Sequence, residues 1–326
     1  MKIVLIRRPF TPGAFSVEEL FHAVADVLRP QVELIEYEAG RRWSLLCDVW
    51  RLRKLNADIY HVTGDINYLV LLLPWRKTVL TVHDIGHFLF GLRGIKLWLY
   101  KWLWLMLPMR VARQVTAVSK ATEDHIVEHL GIARSRITTI DNCHSPLFKA
   151  TPRPFNQGCP VILQVGTKHY KNVPRLIAAL QGIPCKLVLI GALDEALRLQ
   201  LLACGIDYDN LVNLSHQQVA HAYAACDIVT FVSVGEGFGV PIIEAQAMGR
   251  PLVTSNVPPM SDVAGLGACL VSPLDVGQIR RALLAVIDDE GYRQRIVDAG
   301  LQNAARYSPH AIGGQYLALY HHICAS

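Results

Sequence analysis

Among the eight cysteines there is no Cys-x-x-Cys pair and no tight cluster. That excludes a small zinc module and a disulfide-stapled scaffold, and it suits a reducing compartment. Cys185, Cys226 and Cys269 lie in apolar surroundings, where a thiol behaves as a small hydrophobe. No apolar run approaches the ~20 residues that span a bilayer. The nearest, 94–109, is broken by Lys96 and Lys101. The opening MKIVLIRRPF has an apolar run too short for the core of a secretory signal, so a cytoplasmic location is expected. Glycine (23) and proline (17) show no period, which excludes a collagen-like or low-complexity chain. Charge is scarce, 18% against 52% hydrophobic, which rules out global disorder. At 326 residues the chain has length for about two domains.

The net charge of +5 is unevenly placed. Residues 1–153 carry 21 basic and 14 acidic side chains, and residues 154–326 carry 11 and 13. Within 41–113 alone, 12 basic residues face 4 acidic ones. Part of the first half is therefore expected to meet an anion: a phosphorylated substrate, a membrane surface or nucleic acid. A solvated basic face is the plainer alternative.

Short apolar runs alternate with amphipathic stretches. KIVLI (2–6), VELIEY (32–37), DIYHV (58–62), KTVLTV (77–82), RQVTAV (113–118) and RITTI (136–140) read as strands. Helical patterns at 16–28, 43–55, 94–110 and 119–130 lie between most of them, which predicts parallel βαβ units. Proline-rich residues 141–159 read as a linker. The alternation resumes with strands at 160–165, 185–191, 210–214, 227–232, 251–255 and 268–272, and the last 50 residues read as helices. The fold class expected is α/β: two doubly wound parallel-sheet domains with ligands outside the carboxyl ends of the strands.

The sharpest segment follows the strand 227–232: Val234-Gly-Glu-Gly-Phe-Gly-Val-Pro-Ile-Ile-Glu244, then Ala-Gln-Ala-Met-Gly-Arg-Pro251. Gly235, Gly237 and Gly239 allow close backbone approach, and Pro241 suits a first helical position. Amides near Gly239 and Val240, with the helix dipole, form an anion site. Two carboxylates beside a diphosphate would repel it by about 4 kcal/mol each at ~4 Å and an effective dielectric near 20. Glu236 and Glu244 are therefore expected to address hydroxyls. The alternative is a glycine-rich turn with two solvated acids at a helix start.

Two Glu separated by seven residues before Ala-Met-Gly-Arg-Pro resemble the donor-site motif of the group 1 (family 4) retaining glycosyltransferases. The resemblance runs over nearly the whole chain and is strongest from about 160 to 272. It implies the GT-B fold, in which two Rossmann-like domains face a cleft and the second holds most of a nucleotide-sugar. A second match is Gln164-Val-Gly166-Thr-Lys168-His-Tyr-Lys171-Asn172. Lysines at a strand-to-helix turn can neutralise a leaving diphosphate. The family usually sets an Arg after this Gly and a Lys before the helix. Lys171 matches that Lys, whereas Thr167 stands where the Arg is expected and leaves Lys168 as a substitute point charge.

Thr81-Val-His83-Asp84 is similar to the family's first-domain His, which contacts the transferred sugar. The spacing His83-x-x-x-His87 also admits a metal pair or a structural His. Asp65, after the strand 58–62, is a candidate contact for acceptor or sugar, with a helix cap as the alternative. Gly13 in Pro12-Gly-Ala-Phe15 is a thin version of the family's first glycine-rich turn, and Asp84 is a further candidate acceptor contact. Ser119 reads as a helix N-cap. The segment 95–110, with three Trp and flanking Lys and Arg, suits both an interfacial helix and a core helix.

The resemblance implies transfer of a sugar, a hexose such as mannose among them, from a UDP- or GDP-linked donor to a lipid-linked or polysaccharide acceptor with retention of configuration. Glu236, His83 and Lys171 would be catalytic. Glu244, Lys168, Gly166, Gly237, Phe238, Gly239 and Val240 would bind the donor. No cofactor, obligatory metal or nucleic acid is expected, and segment 95–110 is the candidate for peripheral membrane contact at the inner face. The domains expected are 1–153, 154–308 and a terminal helix 309–326 that packs back on the first domain. A sugar-nucleotide epimerase and a non-catalytic scaffold of the same fold remain the alternatives.

Overall fold

The computed structural model describes residues 1–9, 16–40, 44–85 and 94–325. They form two compact units, Met1–Cys143 with Pro309–Ser326, and His144–Ser308. The first boundary thus falls before the expected 153. Residues after 143 belong to the second unit because Phe148 is buried edge-on against Tyr223, and the Thr151 backbone bonds to Met248 and Arg250.

Unit 1 runs β1 (Lys2–Arg7), α1 (Ser16–Leu28), β2 (Glu33–Glu38), α2 (Leu45–Lys54), β3 (Ile59–Val62) and β4 (Thr78–Val82). It continues with α3 (Gly94–Leu99), α4 (Leu107–Val111), β5 (Gln114–Ala117), α5 (Lys120–Leu130) and β6 (Ile137–Thr139). All six strands are parallel in the order β2-β1-β3-β4-β5-β6. The period of two along each strand divides the core. Val4, Ile6, Tyr60, Val62, Leu80, Val82 and Val115 face a layer built from α2, the 3-10 turns of 67–72, and residues 100–111. Ile3, Leu5, Ile59 and Val79 face α1 and the last helix. On that second face His61, Thr81 and Thr116 form a buried polar stripe. Thr81 Oγ1 lies 2.7 Å from His61 Nε2 and 2.6 Å from Thr116 Oγ1, and His61 Nδ1 lies 2.6 Å from Tyr320 Oη.

Between α3 and α4, residues Tyr100–Met106 form a π-helical stretch, in which the Leu107 amide donates to the Trp102 carbonyl five residues back. Pro108 follows at once. A proline ring collides with the carbonyl four residues earlier in a regular helix, and the wider turn relieves that collision.

Unit 2 runs β7 (Val161–Val165), α6 (Val173–Leu180), β8 (Lys186–Ile190), α7 (Glu195–Ala203), β9 (Asp207–Leu211), α8 (His216–Ala225) and β10 (Ile228–Phe231). Then follow α9 (Val240–Ala247), β11 (Leu252–Ser255), α10 (Met260–Ala264), β12 (Cys269–Val271), α11 (Val276–Asp288) and α12 (Glu290–Ala305). Its parallel order is β12-β11-β10-β7-β8-β9. Ile162, Leu187, Leu189, Ile228 and Val253 pack under α6, α7 and α11. The final helix, α13 (Pro309–Ala325), returns to unit 1 and buries Ile312, Tyr316 and Tyr320 against its sheet. β9 lies three residues earlier than expected at 210–214. As the sheet's edge it pairs with β8 alone, and its polar DYDNL sequence alternates outward rather than forming an apolar run.

Candidate functional site

In an open parallel sheet, ligand-binding loops gather where the strand order reverses. In unit 2 that point lies between β7 and β10, which are neighbours in space though not in sequence. The loop after β7 carries Gly166 to Asn172, and the loop after β10 carries Val234 to Gly239. The two sharpest sequence motifs are thus brought together by topology. The Val234 amide donates to the Tyr170 carbonyl at 2.9 Å and joins the loops.

Lys171 Nζ donates to Glu236 Oε1 at 2.8 Å, with both side chains mostly buried. The ammonium also lies 4.4 Å from the Phe231 ring centroid. Gly166, at φ +86°, makes room for the lysine stem, since a Cβ there would stand 2.9 Å from Lys171 Cε. Asn172 holds the chain at φ +61° and donates through Nδ2 to the carbonyls of Val232 (2.9 Å) and Pro273 (2.6 Å). Asparagine is among the few residues other than glycine that adopt this conformation routinely.

Gly239 stands before α9 at φ +102°, packed against Phe231 and Ile242. The helix begins at Val240, so Pro241 occupies its second position rather than the first. The first amides of a helix have no partner within it and face the positive end of its dipole. Phe238 is buried edge-on against Tyr307 and anchors the glycine-rich turn.

Glu244 lies within α9 and is buried. Its Oε2 accepts from Tyr223 Oη at 2.8 Å. Burial pushes its pKa up to about 7, while the tyrosine bond and the Lys171 charge pull it down. Burial and the neighbouring carboxylate raise the Tyr223 phenol well above its ordinary value. Lys168 is exposed at the start of a single 3-10 turn, and Thr167 is tied by its hydroxyl to the Ala192 carbonyl at 2.6 Å.

In unit 1, the strand ends carry Asp65 after β3 and His83 with Asp84 after β4. His83 Nε2 lies 2.8 Å from the Thr63 carbonyl and therefore donates to it, which leaves Nδ1 as an acceptor in the neutral ring. Burial lowers the His83 pKa, partly offset by that bond and by Asp84. Asp65 is exposed and accepts from Trp104 Nε1 at 2.7 Å, rather than capping a helix. Ser119 caps α5 by accepting from the Thr122 amide. Gly13 and His87 lie outside the described residues. Among the described residues no three His, Cys, Asp or Glu side chains gather as a metal site, and no helix is long and apolar enough to cross a membrane.

The sequence pattern did not single out Tyr223, Asn172 or Trp104. Asn172 carried a usable signal, a residue tolerant of positive φ directly after Lys171. The other two bonds join residues 21 and 39 positions apart, and neither shows in a local pattern.

Two six-stranded doubly wound units, the second with a cationic and carboxylate pair at its switch point, define a two-domain α/β protein of the GT-B fold. Residues 149–303 match the model of glycosyl transferases group 1, and residues 4–145 that of glycosyltransferase family 4. The chain belongs to the group 1, family 4 glycosyltransferases.

It is 28% identical over 308 residues to O-antigen chain mannosyltransferase B of Escherichia coli, covering 86% of this chain and 78% of that one. It is 24% identical over 263 residues to the serotype-specific mannosyltransferase WbdA of Escherichia coli, covering 72% of this chain but only 32% of the relative. In fold it is similar to sucrose-phosphate synthase from Thermosynechococcus elongatus (TM-score 0.78, 16% identity, all of both chains). It is also similar to Anabaena HepE in complex with UDP and glucose (TM-score 0.77, 17% identity, 98% and 99% of the chains).

Proposed function

We propose that the protein is a retaining glycosyltransferase of cell-surface glycan assembly, which moves a hexose, mannose foremost, from a UDP- or GDP-linked donor to a glycan or lipid-linked acceptor hydroxyl. The observation that carries this reading is the Lys171–Glu236 contact at the switch point of unit 2. The mannose and glycan assignments are supported by the names of the relatives in Escherichia coli.

The donor diphosphate lies at the first amides of α9 and beside Lys171, with Lys168 as a second charge. Gly166, Gly237, Phe238, Gly239 and Val240 shape the turn that admits it. Glu244 accepts from ribose hydroxyls and Glu236 from the transferred sugar. As the bond from the sugar to the diphosphate lengthens, positive charge grows on the sugar and negative charge on the leaving oxygen. Lys171 and the helix amides stabilise the latter, and removal of one such donor typically costs about 3 kcal/mol in the barrier. The leaving oxygen takes the acceptor proton on the same face, so configuration is kept. In unit 1, His83 contacts the transferred sugar, and Asp65 and Asp84 accept from acceptor hydroxyls. The segment 95–110 makes peripheral contact with the membrane that carries a lipid-linked acceptor.

Because lysine and amide groups supply the countercharge, activity needs no metal and survives EDTA. Loss on chelation with recovery in Mg²⁺ contradicts that part. A thermal-shift screen with UDP, GDP and ADP and their sugars tests the donor half. A true ligand at a hundred times its Kd adds about 2.7 kcal/mol, and no response to any of them removes the reading.

A further inference from the structure

The outer surface of the layer formed by α2, residues 67–77 and residues 94–111 is unusually apolar. These elements cover one face of the unit 1 sheet and are continuous with one another. Arg53 of α2 donates to the Leu72 carbonyl, and Tyr68 packs on Trp104 with ring centroids 5.0 Å apart. Their inner residues, among them Leu52, Leu69, Leu105 and Met109, are buried in a single core. Their outer residues include Trp50 (59% exposed), Trp75 (53%) and Trp98 (59%), joined by Leu46, Leu99 and Leu103. An exposed tryptophan on each of three elements is not what a free surface in water favours.

Charge of one sign surrounds these rings. The three elements carry seven described Lys and Arg side chains, and their sole carboxylate, Asp48, is buried on Tyr37, Gly40 and Ser44. Lys54 lies 3.5 Å from the Trp50 ring centroid, and the Arg76 guanidinium 4.9 Å from that of Trp75. Indole rings flanked by long cationic side chains match the polarity gradient of a bilayer interface, with rings at headgroup depth and cations toward lipid phosphate.

We propose that α2, residues 71–77 and the outer face of residues 97–110, where the Arg110 guanidinium lies 5.7 Å from the Trp102 ring centroid, form one docking platform for an anionic lipid surface. The π-helical stretch has a second face. Trp104 holds the Asp65 carboxylate at the end of β3, and Tyr100 stacks on Trp104 with centroids 6.0 Å apart. One helix therefore connects the lipid-facing rings to a carboxylate offered to the acceptor. The proposal deepens the acceptor half of the function given above, and only this last connection rests on that reading. The acceptor is one whose anionic lipid anchor stays in the bilayer while its sugar reaches Asp65.

Flotation with two vesicle types tests the platform: phosphatidylcholine alone, and phosphatidylcholine with an equal part of phosphatidylglycerol. The full chain is expected to float with the anionic vesicles at low salt and to be released at high salt. The combined variant Trp50→Ser, Trp75→Ser, Trp98→Ser and the combined variant Lys54→Gln, Arg76→Gln, Arg110→Gln each bind at least about tenfold more weakly. Both keep the wild-type shift in melting temperature with nucleotide, because all six residues are exposed side chains of unit 1 and the donor loops belong to unit 2. A wild-type chain that stays at the bottom overturns the platform, as does a tryptophan variant that floats normally. Equal binding to both vesicle types overturns the anionic preference. Flotation without any nucleotide response leaves the platform standing and removes the donor reading, so the two fail separately.

Discussion

The ammonium of Lys171 rests 2.8 Å from Glu236 Oε1, a contact that ties the loop after β7 to the loop after β10. In the proposed reaction the two groups serve opposite ends of the breaking bond, the lysine the diphosphate and the glutamate the sugar. Their pairing keeps both side chains in place before any ligand arrives. Lys171→Ala and Glu236→Ala are each expected to lower turnover at least about a hundredfold, with folding intact. Steady-state kinetics beside a melting curve checks this, and near-normal turnover in either purified variant refutes the role.

Glu244 gives unit 2 a pH signature. Its carboxyl titrates at about 7 in the folded protein against 4.5 unfolded, because burial disfavours the charged form. Below pH 4.5 both states are protonated. Between 4.5 and 7 the unfolded chain alone releases the proton, so stability falls as pH rises, by about 3 kcal/mol across the window. Glu244→Gln is expected to remove that fall. Tyr223→Phe deletes a bond that lowers the pKa and moves the window to higher pH. Urea midpoints of the three proteins between pH 5 and 8 measure both effects.

His61 acts with the opposite sign in unit 1. Burial pushes its pKa down to about 3 from 6.5, so it stays neutral in the fold. As pH drops below 6.5 the unfolded chain gains a proton that the folded one refuses, and stability is lost toward pH 3. Tyr320→Phe leaves His61 Nδ1 without its phenol and is expected to cost about 1–3 kcal/mol at neutral pH. Equilibrium denaturation of that variant reads the cost directly.

Asn172 separates backbone strain from side-chain bonding. Asn172→Ala loses the three side-chain bonds, to Val232, Pro273 and Arg175, and keeps a Cβ at φ +61°, whereas Asn172→Gly loses the same bonds and adopts that φ freely. The alanine variant should be the less stable of the two, by about 1 kcal/mol. Reversed order in urea titrations would show that the φ constraint is not what selects asparagine here.

Strand positions and the parallel α/β class were readable from residues because both rest on short-range patterns. Apolar runs of five or six residues made the parallel strands visible, and the Glu-x7-Glu and Gly166–Lys171 segments fell at strand ends. What escaped was set by distance or by weak pattern. β9 has an edge strand's polar sequence, and residues 141–159 read as a linker although Phe148 is a core residue of unit 2. The partners of Glu244 and Asp65 come from other helices, so no spacing rule points to them. Segment 95–110 suggested two roles, and the exposure of its rings shows that it has both a packed and an open face. Trp50 and Trp75, which extend the open face, gave no warning in sequence because each is the only aromatic of its own segment, 45–54 and 71–77.

The return of α13 to unit 1 has a bearing on synthesis. Ile3, Leu5, His61 and Val79 gain part of their cover only from residues that leave the ribosome after the whole of unit 2. The first sheet emerges early yet waits, half clothed, through the translation of more than 160 further residues. Its nascent form is thus a ready client for chaperones, and a chain stalled at Ser308 would carry a finished second unit beside an unfinished first.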